Sequence, residues 1–584
     1  MQLVDWLVVL LYLLGTLALG LYLSPKGSQS LTDFFVSGRS LPWWLAGTSM
    51  AATTFSIDTP LIITSIVATR GIAGNWVWWS FGIAHILMIY LFARLWRRSE
   101  VITDAELTEL RYGGYLASWL RGVKAFLFAV PINCLGIGYA MLAMVKVVDA
   151  LQLWQSLGFN PEENQKICSV VGVSIFVLTY AGFSGLWGVV ATDFFQFFLG
   201  LTGAIIVAII ALQHMGGIHE LIPQVEAVSQ FNVLTFFPLE ETAKISLTTF
   251  GSYLFLQWWS FRRSDGGGEF IQRLLSVKDE TEAVKSAWLF NILHYIVRTW
   301  PWIVVALVAI VYYPNLEDPE LAYPKLMLEF LPPILLGLVV ASLIAAFMST
   351  VSTSINWGAS YLTNDLYQRF VNPEATQPQL VLVGRLSSIF VTVIGAIAAF
   401  YADDIYTVFE LVIAIGTGPG LILILRWFWW RINAATELAA MLSGLLMGVI
   451  TSLVPAFGEV FADFGLRLLV ISVVTITICF TVMLLTPPES ENTLDEFYRR
   501  VRPDARGWRR QQQRTQVIPL QDLGQDLQKA IAAIFILYGL MFAVGGFLLL
   551  QPLTGWIALI FAVGGGLWLR TATQISKRSL QSRS

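Results

Sequence analysis

The chain has 584 residues, of which 56% are hydrophobic and only 13% are charged, and its mean hydropathy is +0.67. A soluble protein would carry roughly twice that charged fraction, so a large soluble enzyme is excluded. The 36 Lys and Arg residues nearly balance the 39 Asp and Glu residues, and the formal net charge of −3 gives no indication of nucleic-acid binding. We therefore predict an integral membrane protein without a nucleic-acid partner.

Fifteen apolar segments approach or exceed the length of about 20 residues that a helix needs to cross a hydrocarbon core. The first has no basic start and no small-residue cleavage site, which favours a retained helix over a signal peptide. The predicted spans are residues 5–23, 43–69, 73–96, 117–150, 166–184, 186–214, 247–262, 283–313, 333–365, 381–401, 404–432, 435–455, 466–486, 529–551 and 554–572. The predicted fold class is an all-α, polytopic membrane protein with about 15 transmembrane helices.

Basic residues collect on one side of the predicted membrane. With the N-terminus outside, the cytoplasmic loops contain Arg94, Arg97 and Arg98 and a run of seven arginines within residues 499–514. The extracellular loop 314–332 instead has four acidic residues and one lysine. Because cytoplasmic loops are enriched in Lys and Arg, we predict an extracellular N-terminus and a cytoplasmic C-terminus.

Two spans contain sequences that are poor continuous helices, and a third carries a polar stripe. Residues 47–60 in span two are mostly small, Ser or Thr residues and end at Pro60, so freed carbonyls there could coordinate a cation, although a proline kink explains them as well. In span nine, Ser349, Ser352 and Asn356 form one polar stripe, which could line an ion site or only hold helices together. Span eleven breaks at the sequence GTGPG, residues 416–420. Irregular backbone at membrane depth lines cavities or ion sites, so we expect function at these breaks.

Three motifs carry a family resemblance. Residues 185–196, GLWGVVATDFFQ, resemble the signature of the sodium:solute symporter family, and residues 272–278, QRLLSVK, resemble its Gln-Arg turn. Residues 345–367 are similar to its serine-rich helix, which continues into an Asp-x-Tyr sequence. The resemblance extends in order over about residues 1–435, so the chain resembles the sodium/proline and sodium/glucose symporters of that family.

The resemblance implies a LeuT-type inverted-repeat transport core, located in a bacterial inner (plasma) membrane. The implied organisation is an extra helix and loop at 1–42, a ten-helix core at 43–432 with repeats at about 43–214 and 247–432, two peripheral helices at 433–486, a basic cytoplasmic loop at 487–528, and two C-terminal helices with a tail at 529–584. The loop at 487–528 could hold a short helix but is too small for an independent catalytic domain.

The resemblance also implies a sodium site. The backbone carbonyls of Ala52, Phe55 and Ala346 would face the hydroxyls of Ser349 and Thr350, and Thr350 replaces a serine that is common in the family. Oxygen ligands of this kind suit a hard monovalent cation rather than a transition metal. Sodium is therefore the expected coupling ion, and no other cofactor is expected.

Two acidic residues within the spans are candidates for the ion pathway, because ionisable groups at membrane depth are costly and often functional. The resemblance makes Asp193 a residue near the sodium exit path, although it could instead cap the start of span six. Asp58 departs from the family pattern. It could add charge to the ion site, contact a cationic part of the solute, or cap the helix that begins at Pro60.

Candidate solute contacts lie in spans seven, eight and eleven. His294 and Arg298 share a face of span eight, and Arg298 could pair with Asp58 or Glu410 or bind a carboxylate of the solute. Glu410 lies close to the position where sugar-transporting relatives place a polar solute contact. In span seven, where the chain departs most from the family, the candidates are Gln257, Trp258 and Trp259.

These features together predict a sodium-coupled secondary active symporter that imports a small polar organic solute by alternating access, with a monomer as the working assumption. The alternatives are a transporter-like membrane sensor and a proton-coupled or uncoupled permease. An ion channel is disfavoured because no filter-like loop is repeated. An intramembrane enzyme is not expected, since the four histidines show no catalytic or metal-binding spacing.

Overall fold

A computed structural model describes residues 1–27, 30–161, 164–239, 243–402, 404–454, 457 and 460–581. The regular elements of these residues are helices, and β-pairing is limited to two isolated bridges. The fold is therefore all-α, as predicted.

The helices of the N-terminal half are α1 (Leu3–Gly27), α2 (Leu31–Val36), α3 (Trp43–Thr53), α4 (Asp58–Arg70), α5 (Trp76–Trp79), α6 (Phe81–Leu87), α7 (Ala93–Ser99), α8 (Leu107–Arg111), α9 (Gly114–Leu127), α10 (Asn133–Ala150), α11 (Leu153–Ser156), α12 (Gln165–His214) and α13 (Ile218–Val228). Those of the next part are α14 (Leu247–Ser252), α15 (Trp258–Ser260), α16 (Gly268–Ser276), α17 (Glu280–Asn291), α18 (Thr299–Tyr312), α19 (Ala322–Phe330), α20 (Leu335–Ser360), α21 (Gln377–Tyr401), α22 (Ile405–Gly416) and α23 (Gly420–Phe428). The C-terminal helices are α24 (Ala434–Leu453), α25 (Phe464–Leu485), α26 (Glu491–Val501), α27 (Arg509–Thr515), α28 (Leu523–Leu548) and α29 (Pro552–Gln581).

Short helical segments of other types connect or extend these helices. The π-helical segments are Met88–Phe92, Phe128–Ile132, Tyr253–Gln257, Ile292–Val297 and Tyr361–Val371, and the 3₁₀ turns are Ser37–Arg39, Ile72–Asn75, Pro319–Leu321 and Ala505–Gly507. Several π-helical segments join two α-helices into one long span, as between α17 and α18. Such segments are rare and are frequently found at functional sites.

Eleven helices in the described ranges are long and apolar enough to cross a membrane, and the bent pair α3–α4 would make a twelfth. The other predicted spans correspond to shorter or interrupted helices. Residues 166–184 lie in α12 before Gly185, whose φ of +56° separates two helical parts. Residues 247–262 and 404–432 are each divided into shorter helices. The count of 15 transmembrane helices therefore stays a prediction.

Two of the predicted breaks are present in the structure. Helices α3 and α4 meet at an angle of 54°, and the chain between them is not helical at Phe55 and Ser56. Helices α22 and α23 are separated at Thr417–Pro419, where Gly418 has a φ of +121°. That backbone conformation favours glycine because it has no Cβ.

A third break was not predicted. Span seven continues beyond residue 262 through a segment of turns into α16, and Gly266 and Gly267 supply the positive φ angles there. The Gln-Arg motif expected to form a turn lies in α16, and the chain turns only after Ser276. The break is stabilised by the break between α22 and α23, since the Arg262 N–H donates to the Gly416 carbonyl (2.8 Å) and the Gly418 N–H to the Ser260 carbonyl (2.8 Å).

The loop 487–528 contains two short helices, α26 and α27, and is packed against the bundle. Trp508 is fully buried and donates from Nε1 to the Trp427 carbonyl at 2.9 Å. Arg98 of α7 donates to the Val501 carbonyl at 3.0 Å. These contacts make the loop a docked part of the molecule rather than a free linker.

Candidate functional site

The broken span α3–α4 contacts the polar stripe of α20. The Thr350 hydroxyl donates to the Thr53 carbonyl at 2.9 Å and also lies 3.2 Å from the Ala346 carbonyl. Three carbonyl or hydroxyl oxygens, from Thr53, Ala346 and Thr350, are thus grouped where α3 ends. The sequence-based assignment did not include Thr53, although it lies within the predicted break.

The predicted carbonyl ligands from span two, Ala52 and Phe55, lie within two residues of Thr53 in the chain. The Phe55 N–H donates to the Ala52 carbonyl at 2.9 Å, which ends the helix in a tight turn. A carbonyl oxygen has two lone pairs, so the Ala52 oxygen can accept this bond and still bind an ion. The Phe55 ring packs against Trp302, with ring centroids 4.7 Å apart, and this contact fixes the turn.

Ser349 contacts Asp193. The Ser349 hydroxyl donates to Asp193 Oδ1 at 2.8 Å, and the Ser49 hydroxyl donates to Oδ2 at 2.5 Å. Arg273 of α16 lies 3.5 Å from the same carboxylate and donates to the Ser49 hydroxyl at 3.1 Å. Asp193 lies well inside α12, and its side chain links four helices instead of capping one.

Arg273 is a residue of this site that the sequence-based assignment missed. It is fully buried, and its guanidinium also donates to Thr353 of α20 at 2.6 Å. The Gln-Arg motif was the available signal, but the motif alone assigned no partner. The structure identifies Asp193 as that partner, and their ion pair is buried between α12 and α16.

A cavity of about 200 Å³ adjoins this junction and shares residues with it. Its lining includes Thr53, Thr54 and Thr350 from the junction, together with Asp58, His294 and Arg298. Much of the remaining wall is aromatic, and Trp78, Tyr139 and Tyr295 are examples. A largely apolar cavity with a few convergent polar groups is typical of a small-molecule site.

Arg298 does not form the ion pair expected from sequence. In the described part of the chain no carboxylate oxygen lies within 4.0 Å of its guanidinium, which donates to the His294 carbonyl at 3.3 Å and to the Ala51 carbonyl at 3.4 Å. Glu410 is instead 3.4 Å from Arg70 and accepts from the Tyr406 hydroxyl at 2.8 Å. Glu410 does not form an ion pair with Arg298, because its carboxylate faces Arg70 at the end of α4.

A hydrogen-bonded chain joins Arg298 to the break after α3. Arg298 Nη2 lies 3.3 Å from His294 Nε2, and His294 Nδ1 lies 2.8 Å from the Thr54 hydroxyl. A guanidinium can only donate, so we assign Nε2 as the acceptor and place the imidazole proton on Nδ1. The Thr54 hydroxyl then accepts from His294 and donates to the Ala51 carbonyl at 3.0 Å.

The candidates in span seven lie outside the cavity lining. Gln257 donates to the Val77 carbonyl at 2.9 Å, and the indole N–H groups of Trp258 and Trp259 donate to carbonyls one turn earlier, at 2.9 and 2.6 Å. The cavity is lined from this span by residues beyond the break, namely Phe261, Arg262, Arg263, Glu269 and Phe270. The unpredicted break places those residues at the cavity.

Residues 34–444 match the sequence model of the sodium:solute symporter family. The chain belongs to this family. It is 25% identical over 483 residues to a sodium/glucose cotransporter of Vibrio parahaemolyticus, covering 77% of this chain and 84% of that protein. It is 23% identical over 482 residues to the osmoregulated proline transporter OpuE of Bacillus subtilis, covering 80% of this chain and 94% of that protein.

The fold is also similar to solved transporter structures. A sodium-coupled sialic acid symporter in a substrate-bound, outward-open state aligns with a TM-score of 0.67 and 21% identity, covering 84% of this chain and 99% of that one. This symporter family member therefore has the LeuT-type fold. Membership of the family makes the protein a sodium-coupled symporter embedded in a membrane, and not an enzyme, with sodium as the coupling ion.

Proposed function

We propose that this symporter imports a small polar organic solute by alternating access, with sodium bound at the junction of α3 and α20 and the solute bound in the adjoining cavity. The observation that supports this assignment is the position of Thr350. Its hydroxyl contacts the Thr53 carbonyl at the helix break, and the same residue lines the cavity. An ion and a solute bound on either side of this residue would influence each other directly.

The proposed sodium ligands are the carbonyls of Ala52, Phe55 and Ala346 and the hydroxyls of Ser349 and Thr350. The contacts of Thr350 with Thr53 and Ala346 support this set, and the Thr53 carbonyl joins it as a further candidate. Asp193 would attract sodium electrostatically, because Ser349 contacts its carboxylate. Release of sodium toward Asp193 would break the bridge between α3 and α20.

The energetic argument is one of linkage. Sodium that binds both α3 and α20 stabilises the conformation in which they are close, and it therefore raises the solute affinity of that conformation. Each sodium ion that moves inward gains about 2.3 kcal/mol per 100 mV of membrane potential. That energy can concentrate the solute without any covalent step.

The proposal includes an extracellular N-terminus, a cytoplasmic C-terminus, a bacterial inner membrane and a monomer. The contacts of the basic segments support the orientation, because Arg98 and the arginine-rich segment that begins near α26 are in contact and hence on one side. On the other side Lys146 contacts Asp318 at 2.9 Å and Glu320 at 2.6 Å. The division into a core at 43–432 and peripheral parts is proposed with it.

The test compares the thermal stability of the purified protein in sodium and in equimolar potassium. Site binding raises stability by RT ln(1 + [Na⁺]/Kd), so we expect a sodium-specific rise that a Ser349→Ala/Thr350→Ala double variant loses. The matched control is Thr477→Ala/Thr481→Ala on α25, where two exposed hydroxyls bond only to their own helix. No sodium-specific rise in the wild type would contradict the proposed ion site at the junction of α3 and α20.

A further inference from the structure

Asp58 and Arg298, two opposite charges in the cavity wall, have no charged partner within ion-pair distance in the described part of the chain, and Arg262 has none either. Asp58, the first residue of α4, is 6% exposed, and its Oδ1 makes no hydrogen bond there. Arg298 is 2% exposed, and its hydrogen bonds to carbonyls are 3.3 and 3.4 Å long. A buried charge is strongly unfavourable unless it is paired and hydrogen-bonded. Both groups therefore need a partner that a bound molecule can supply.

Of the other charged residues of the cavity wall, two form an ion pair, whereas Arg262 has no hydrogen-bond partner at Nε among the described residues. Arg263 and Glu269 form an ion pair. Arg262 packs against the rings of Phe128, Phe261 and Trp357, with its guanidinium carbon 5.5 to 5.8 Å from their centroids. Cation–π contacts of this kind partly offset the loss of water around an arginine. Ring contacts do not separate Arg262 from Arg298, whose guanidinium carbon lies 5.8 and 5.5 Å from the ring centroids of Phe55 and Trp302.

We propose that the cavity binds a zwitterionic solute, with the anionic group of the solute on Arg298 and its cationic group on Asp58. This inference rests on the proposed function and names the substrate class of the same site. A guanidinium has five N–H donors, so Arg298 can bind a carboxylate while it keeps its bonds to His294. The aromatic side chains of Trp78, Tyr139 and Tyr295 enclose the body of the solute, and their ring faces favour a cationic group.

The chemistry of the wall separates a zwitterion from other classes of solute. A monovalent anion would match Arg298 and leave Asp58 without a counter-charge, whereas a monovalent cation would do the reverse. The hydroxyls of a neutral sugar could bond to both groups but would neutralise neither. A zwitterion matches both charges and adds no net charge to the cavity.

The test measures ligand-induced thermal stabilisation of the purified, full-length protein in saturating sodium and in potassium. The probes are three zwitterions with different charge separations (proline, glycine betaine and γ-aminobutyrate), an anion (lactate), a cation (choline) and a neutral sugar (glucose). We expect at least one zwitterion to stabilise the wild type in sodium, with a weaker effect or none from the other three classes.

Variants that remove one charge then test which residue binds each charged group of the solute. Asp58→Asn and Arg298→Gln should each weaken binding of that zwitterion by about tenfold or more, since hydrogen bonds to charged groups are strong. The relative affinities for the probes should also change. Asp58→Asn should favour lactate, and Arg298→Gln should favour choline. A purely structural defect would lower every affinity without this reversal. Asp522→Asn and Arg510→Gln remove charges far more exposed than these and serve as matched controls.

Each other outcome has a definite meaning. Stabilisation by glucose, lactate or choline alone would overturn the zwitterion assignment, and so would a zwitterion whose binding both variants retain. Loss of binding in Arg262→Gln with retention in Arg298→Gln would move the anionic group to Arg262 and overturn the assignment to Arg298. If the proposed ion site is wrong, sodium will not raise the thermal stability of the protein when no solute is present. In that case, zwitterion binding measured in potassium still tests the assignment of the solute.

Discussion

Ser349 of α20 donates a 2.8 Å hydrogen bond to the carboxylate of Asp193 in α12, and the same carboxylate lies 3.5 Å from the guanidinium of Arg273. A proposed sodium ligand and a buried ion pair are therefore in direct contact. Sodium at Ser349 and Arg273 would share the negative charge of Asp193. Arg273 is thus a fixed cation beside the ion site, and mutation of Asp193 removes its counter-charge.

Asp193→Asn should destabilise the protein by about 3–5 kcal/mol, because it leaves the buried Arg273 without a counter-charge. The same change should weaken sodium binding, measured as the sodium concentration that gives half of the maximal thermal shift. The control is Asp318→Asn, which breaks the more exposed pair with Lys146. Unchanged stability and sodium dependence in Asp193→Asn would contradict both roles of the carboxylate.

Thr350→Ser should keep the sodium-induced thermal shift, whereas Thr350→Val should lose most of it. Serine retains the hydroxyl that bonds to the Thr53 carbonyl, and valine has nearly the shape of threonine without that oxygen. Sodium titrations of the two variants, followed by thermal unfolding, make the comparison. Equal sodium responses would show that the Thr350 hydroxyl is not an ion ligand.

Removing the Arg70–Glu410 contact should increase access to the cavity from the side that is proposed to be extracellular. Arg70 ends α4, lies 4.7 Å from the ring centroid of Tyr406 and is 3.4 Å from Glu410 on α22, so it ties these two helices together. The measurement is the labelling rate of a Phe409→Cys reporter, which lines the cavity, by a membrane-impermeant thiol reagent.

The labelling experiment uses a background in which Cys134, Cys168 and Cys479 are replaced by alanine. We expect faster labelling in Arg70→Gln and in Glu410→Gln. The double variant should add little, since either change breaks the same contact. Additive rates would mean that the two residues act separately. Partly exposed ion pairs contribute at most about 1 kcal/mol, so global stability should change little.

Glu109, in the short helix α8 between α7 and α9, should make stability depend on pH. Burial alone would raise its pKa, but hydrogen bonds from Arg369, Ser118 and Arg121 lower the pKa of Glu109 to about 2, from an ordinary value of 4.5. The folded state therefore holds this proton less tightly than the unfolded state. The resulting stabilisation is complete above about pH 4.5 and disappears as the pH falls toward 2.

The measurement is thermal unfolding between pH 6 and pH 3 for the wild type and Glu109→Gln. After allowance for solvent screening, the pH-dependent difference should be about 1 kcal/mol, with the variant less stable at pH 6 and the gap clearly smaller at pH 3. Glu317→Gln, which removes an exposed carboxylate from another loop, is the control. A gap as large at pH 3 as at pH 6 would mean that the contribution is not electrostatic.

The sequence by itself determined the features that depend on local composition. Long apolar segments predicted the all-α membrane fold, since a lipid environment requires backbone groups to bond within a helix. The break after α3 was predicted from small residues, Ser and Thr, and Pro60, because these disfavour a continuous helix wherever they occur. The family motifs likewise indicated sodium coupling and located its proposed ligands on spans two and nine.

Only the tertiary structure decided which residues meet. The segment Phe261–Gly267 leaves the helix and turns because it bonds to the break between α22 and α23, a partner about 155 residues further along the chain. Arg298 does not form an ion pair with Glu410, because Arg70, at the end of another helix, is nearer to that carboxylate. Ion pairs and cavity walls of this kind depend on distances across the bundle, and helix packing sets those distances while the local sequence does not.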